Sequence, residues 1–261
     1  MKSSLLSAAA ALALSSAPLP AAEAPVAPAQ PAAPTSIVLV HGAFADGSAW
    51  SRVIPLLQQK GYRVVAVQNT LTSQANDVET TRRAIESQPG PVIAVGHSYG
   101  GAVITGAAAG SSKVKALVYV AAFAPEAGEV LGELYNAFGP ADLGPALVPD
   151  SAGFLSIDPA KLHAVFAHDV SPEDAAVMGA TQKPIAGSAF SQSVEAAAWK
   201  HIPSYYLVAT GDRAIKPELQ RHMAQRIGAR VTEVDASHVP FLSQPEAVAR
   251  VILDAAANAR N

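Results

Sequence analysis

Residues 91–105 read Pro91-Val92-Ile93-Ala94-Val95-Gly96-His97-Ser98-Tyr99-Gly100-Gly101-Ala102-Val103-Ile104-Thr105. An apolar, strand-forming run leads into Gly96-His97-Ser98-Tyr99-Gly100, and a helix of small residues follows from Gly101. A G-x-S-x-G sequence alone fixes three positions and occurs by chance. Between a strand and a helix it has a mechanical meaning: a sharp turn holds the serine in a strained backbone conformation, with its hydroxyl raised above the sheet. Gly96 and Gly100 remove side chains that would collide across that turn, and Gly101-Ala102 let the helix lie close to the strand.

Upstream, Ile37-Val38-Leu39-Val40 is another short apolar run rich in β-branched residues, ending at His41-Gly42. Such a run suits a strand buried on both faces of a parallel sheet. Residues 46–60 carry helical periodicity through Trp50, Val53, Ile54 and Leu57, stopped by Gly61. Residues 62–67 read as strand, 77–88 as helix, 101–109 as helix and 114–121 as strand. Residues 205–209, 217–227, 230–234 and 245–257 continue strand, helix, strand, helix. The alternation predicts an α/β domain over residues 36–258, with a six-stranded parallel sheet flanked by helices and right-handed connections.

The alternation lapses over residues 122–201, where Pro125, Pro140, Pro145, Pro149, Pro159, Pro172 and Pro184 separate short helical stretches and no strand is legible. A structureless loop of that length is uncommon in a compact domain. The segment is therefore expected to be a mostly helical cap inserted after the fourth strand, over the carboxyl ends of the strands where open α/β sheets bind ligands.

A serine hydroxyl needs a base to take its proton. Of seven histidines, His238 follows the last strand in Ala236-Ser237-His238-Val239-Pro240. His41 and His97 lie in motifs whose backbone matters more; His163, His168 and His201 lie in or near the cap, and His222 on an amphipathic helix. The base in turn needs an acid to fix its tautomer. Asp212, after the strand at 205–209, is favoured, with Asp235 and Glu126 as rivals. The order Ser98, Asp212, His238 is that of α/β-hydrolases. Oxyanion donors are expected from the Tyr99 N–H and the loop after the first strand, with Ala43 favoured and Phe44 second. Phe44, Phe123, Tyr135, Phe138, Phe154 and Phe166 are candidates for lining a pocket; packing the cap onto the core is the competing reading.

With these motifs in place, the chain resembles the α/β-hydrolase superfamily over roughly residues 36–258. Val38-Leu39-Val40-His41-Gly42-Ala43 with Trp50, Gly211-Asp212 with Pro217-Glu218-Leu219-Gln220, and Ser237-His238 look like the branch of plant methyl esterases, hydroxynitrile lyases and their bacterial esterase relatives. The resemblance implies a six-stranded core and a serine hydrolase acting on carboxylic esters. Hydroxynitrile lyases of that branch carry lysine after the histidine and threonine after the first-strand histidine. Val239 and Gly42 stand there instead, so cyanohydrin cleavage is not expected, and Ser98 argues against an aspartate-nucleophile dehalogenase. The same triad could serve amide, lactone or carbon–carbon hydrolysis or perhydrolysis, and a ligand-binding protein of low turnover is the alternative from another class.

The 261-residue chain is 50% hydrophobic and 15% charged, which excludes disorder over most of its length. A net charge of -3 without a basic run gives no footprint for nucleic acid. The absence of cysteine excludes disulfides, thiolate metal sites and a cysteine nucleophile. No metal or cofactor is expected, and the partner is a small-molecule ester. Lys2, the apolar residues 5–14, and the small residues of Ser15-Ser16-Ala17 and Ala22-Glu23-Ala24 read as an export signal over residues 1–24. That apolar run is too short to span a membrane, so no stable insertion is expected. A proline- and alanine-rich linker follows over residues 25–35. The expected location is periplasmic or secreted.

Overall fold

The structure, a computed structural model, describes residues 34–259. The export signal and most of the linker lie outside the described residues. Ser36–Val40 forms β1, buried throughout. Gly47–Trp50 is a 3-10 turn capped by Asp46, whose carboxylate accepts from Ser48 N–H at 2.7 Å. Helix α1 covers only Ile54–Gln58. The single helix expected over 46–60 is thus two short ones, because Pro55 has no N–H to continue a ladder and fits only a helix start.

β2 (Arg63–Val67), α2 (Gln74–Glu86), β3 (Val92–His97), α3 (Tyr99–Ala107) and β4 (Val114–Val120) follow. Next come α4 (Leu131–Asn136), β5 (Leu147–Pro149), β6 (Phe154–Ile157), α5 (Pro159–Phe166), α6 (Pro172–Thr181) and β7 (Ile185–Ala186). β8 (Ser204–Ala209), α7 (Pro217–Arg226), β9 (Arg230–Val234), α8 (Pro240–Ser243) and α9 (Pro245–Asn258) complete the chain.

The main sheet is six-stranded and parallel, in the order β2-β1-β3-β4-β8-β9. β3 and β8 are buried at every residue, as covered central strands should be. β9 is an edge strand with an exposed face, where Arg221 grips Glu233 through two bonds of 2.8 and 2.9 Å. The chain runs from β1 out to β2 and returns to β3 on the other side of β1, with Val40 in register with Gly96. The loop after β1 and the turn after β3 therefore open side by side at the topological switch point, where a ligand crevice forms.

The segment between β4 and β8 differs from the expectation in one respect. Besides its helices it contains a three-stranded antiparallel sheet in the order β5-β6-β7. These strands have 3, 4 and 2 residues, too short for an alternation signal to register.

Candidate active site

Ser98 sits between β3 and α3 at φ 52° and ψ -123°. Left-handed backbone is uncommon for a residue with a Cβ and persists only where its surroundings enforce it. Here they do. The Ser98 carbonyl accepts from Gly101 N–H and Phe123 N–H, both at 3.0 Å. A Cβ on Gly96 would lie 2.4 Å from the Gly100 carbonyl oxygen, and one on Gly100 would lie 2.5 Å from that of Val40. Neither turn residue can carry a side chain without moving main chain.

His238 lies in the loop between β9 and α8, and its Nδ1–H donates to Asp212 Oδ2 at 2.6 Å in an almost fully buried pair. That bond leaves Nε2 as the unprotonated nitrogen of the neutral ring. Nε2 is buried and has no hydrogen-bond partner among the described residues. Asp212, just past β8, is gripped from all sides: Oδ1 accepts from Ala214 N–H at 2.7 Å and Ile215 N–H at 2.9 Å, and Oδ2 also accepts from Gln220 Nε2 at 2.7 Å. The two rivals are elsewhere. Asp235 is exposed, and Glu126 pairs with Lys200 at 2.7 Å.

Two supports were not legible in the sequence. Gln220 on α7 holds Asp212 while its own Oε1 accepts from Ala209 N–H at 3.0 Å. Asp169, from the segment between β4 and β8, accepts from Ser237 N–H at 2.7 Å and pins the loop that carries His238. The first had a signal in Gln220 ending the Pro217–Gln220 stretch grouped above with Gly211-Asp212, and in the helical phase of α7, which buries Leu219, Gln220 and Met223 together.

Ala43, Phe44, Phe123, Tyr135, Phe166, Ser98 and His238 share a largely apolar cavity of about 220 Å³. Among the described residues the Ala43 N–H makes no main-chain hydrogen bond. The Tyr99 N–H is the first of α3 and has no carbonyl behind it within the helix. Phe44 adopts a left-handed φ of 62°, with its ring buried edge-to-face on Phe166 at 6.2 Å. Phe166 in turn lies 4.7 Å from the His238 ring.

Phe138 and Phe154 do not line this cavity. The spacing of Leu131, Leu134, Tyr135 and Phe138 is that of one helical face, but α4 ends at Asn136. Phe138 consequently leaves that face; it is 39% exposed and rests on His222 with ring centroids 5.3 Å apart. Among the described residues no cluster of metal-binding side chains occurs and no helix is long and apolar enough to cross a membrane.

Two further imidazoles flank the site. Asn69 N–H donates to His41 Nε2 at 3.0 Å, and His41 Nδ1–H donates to the Gly42 carbonyl at 2.8 Å. His97 Nε2–H donates to the His238 carbonyl at 2.8 Å. Burial lowers the pKa of His41, and burial with repulsion from His238 holds that of His97 well down. Each ring therefore takes up a proton at lower pH in the folded protein than in the unfolded chain, where it does so near pH 6.5. Their contribution to stability is therefore complete above pH 6.5 and declines as the pH falls toward each depressed value, at up to about 1.4 kcal/mol per pH unit per ring. Urea unfolding at pH 7 and pH 5 is expected to show lower stability at pH 5 and a shallower decline in His97→Gln. Equal slopes in the two proteins would contradict this.

Comparison with known proteins agrees with the geometry. A family model described as the alpha/beta hydrolase family matches residues 37–251. The pyrethroid hydrolase of Sphingobium wenxiniae is 30% identical over 258 residues, covering 84% of this chain and 87% of that protein. Polyneuridine aldehyde esterase of Rauvolfia serpentina is 26% identical over 250 residues, covering 83% and 94%. The crystal structure of a pyrethroid hydrolase from Sphingobium faniae aligns with a TM-score of 0.75 at 27% identity, covering 87% of this chain and 99% of that one. The chain belongs to the alpha/beta hydrolase family, and its relatives named as hydrolases and esterases support hydrolase activity.

Proposed function

We propose that the protein is a serine esterase working through an acyl-enzyme. The observation that carries this reading is that Ser98, on its strained turn, and His238, held through Nδ1 by Asp212, line one apolar cavity. His238 Nε2 takes the Ser98 proton as Oγ adds to the ester carbonyl carbon. The tetrahedral oxyanion is met by the N–H groups of Ala43 and Tyr99, in a site where little water screens them. The carbonyl re-forms, the alcohol leaves with the proton from His238, and water then releases the acid by the same steps. Asp212 holds the imidazole in the required tautomer and stabilises the imidazolium. Relatives bearing the names pyrethroid hydrolase and polyneuridine aldehyde esterase support hydrolysis of a small organic ester. Export from the cytoplasm is part of this proposal on the sequence of residues 1–24 alone.

The cavity volume of about 220 Å³ is below the usual range for drug-sized ligands. A chromogenic ester series from acetyl to dodecanoyl is expected to show turnover highest among the short acyl chains and lowest at dodecanoyl. Absence of turnover from a folded protein across the series, together with failure to react with an organophosphonate, would favour the binding-protein alternative.

A further inference from the structure

Tyr99 has two parts with separate tasks. Its main chain opens α3 directly after Ser98, and its side chain is fully buried, with the hydroxyl donating to Asp77 Oδ2 at 2.9 Å. Burial first, then Asp77, raises the pKa of this phenol, so the hydroxyl remains a donor. Asp77, on the first turn of α2, is completely buried as well. Its Oδ1 accepts from Thr70 N–H at 2.7 Å, Thr70 Oγ1 at 3.0 Å and Leu71 N–H at 3.0 Å. One carboxylate thus joins the residue after Ser98 to the turn at residues 69–71.

The same turn reaches the other side of the cavity. Asn69 N–H fixes His41, and His41 holds the Gly42 carbonyl. In a trans peptide the C=O and the following N–H point in opposite directions, so holding Gly42 O also sets where Ala43 N–H points. Lys183 Nζ donates to the Asn69 carbonyl and Ala186 N–H to the Leu71 carbonyl at 2.8 Å, so the segment between β4 and β8 clamps this turn in place.

We infer that Asp77 is a positioning residue: through the Tyr99 hydroxyl it fixes the Tyr99 main-chain N–H that receives the oxyanion. This inference rests on the esterase reading of Ser98. An oxyanion donor contributes only when aimed at the position the charged oxygen will occupy, and losing one outright costs about 10²–10³ in rate. Releasing its anchor costs part of that.

The test uses the full chain with Tyr99→Phe, Asp77→Asn and the double variant, assayed on a short-chain chromogenic ester and with a trifluoromethyl ketone, which adds to serine as a tetrahedral oxyanion. Each single variant is expected to lower kcat about tenfold, with KM changed less than about twofold, and to weaken the ketone by the same factor as kcat. The double variant is expected to be no worse than the poorer single one, because both act on the same Tyr99–Asp77 bond, Tyr99→Phe by deleting its donor and Asp77→Asn by removing the charge of its acceptor. Wild-type kcat in folded single variants would overturn the inference. So would a kcat loss without a matching loss of ketone affinity, or loss of folding in both single variants, which would make the bond purely structural. Turnover that survives Ser98→Ala would instead overturn the esterase reading itself.

Discussion

Ser98→Ala is expected to lower ester turnover by about 10⁴- to 10⁶-fold while the protein stays folded. Deleting Oγ removes the atom that forms the acyl-enzyme, so no acylation route remains, and only binding and the oxyanion donors can assist direct attack by water. Stability should hardly change. Alanine meets the same backbone strain at φ 52° as serine does, and among the described residues the hydroxyl makes no hydrogen bond on which the fold depends. The contacts that shape the turn come from the Ser98 carbonyl, which the substitution keeps. The check pairs kcat/KM with thermal unfolding: the rate should collapse while Tm moves by no more than about 3 °C. A variant within tenfold of wild type would remove Ser98 from the mechanism.

Asp212→Asn has the second-largest expected effect and, unlike the first, should show in stability too. Both carboxylate oxygens are acceptors: Oδ1 for two main-chain N–H groups, Oδ2 for Gln220 and for His238 Nδ1. An amide has one oxygen and one NH₂, so either orientation turns the NH₂ toward two donors. Aimed at His238, it favours the tautomer with the proton on Nε2, where the base must be free, and loses about 10⁴ in kcat. Aimed at Ala214 and Ile215, it leaves two buried N–H groups unsatisfied, at about 1–3 kcal/mol each. Expected together are a fall in kcat of about 10⁴ and a lower urea midpoint. Wild-type kcat in this variant would mean that another group orients His238.

Much of this is legible in the sequence. The main sheet was readable because its central strands are short, continuous apolar runs punctuated by glycine or proline, and because parallel strands must alternate with helices. The serine turn was readable because its glycines are demanded by sterics at fixed offsets. Asp212 and His238 stand out by their places after strands, and the structure brings them into contact. What failed had local causes. Phe138 kept a helical spacing past the end of its helix, and three strands of a few residues each fell below any periodic signal. Asp169 and Asp77 escape a sequence reading because their bonds to Ser237 and Tyr99 join residues 68 and 22 positions apart, and nothing in a buried aspartate's neighbouring sequence names the group it will meet; Gln220 is only 8 positions from Asp212, but its amide could equally face solvent until the helix is docked.

The most direct measurement is the mass of the intact protein, and of its peptides, after incubation with an organophosphonate ester that phosphonylates activated serines. The account predicts a single adduct on the peptide containing Ser98, formed rapidly by the wild type, slowly by Asp212→Asn and not by Ser98→Ala. A folded wild-type protein that forms no adduct, or forms it at another residue, would contradict the assignment of Ser98 as the nucleophile.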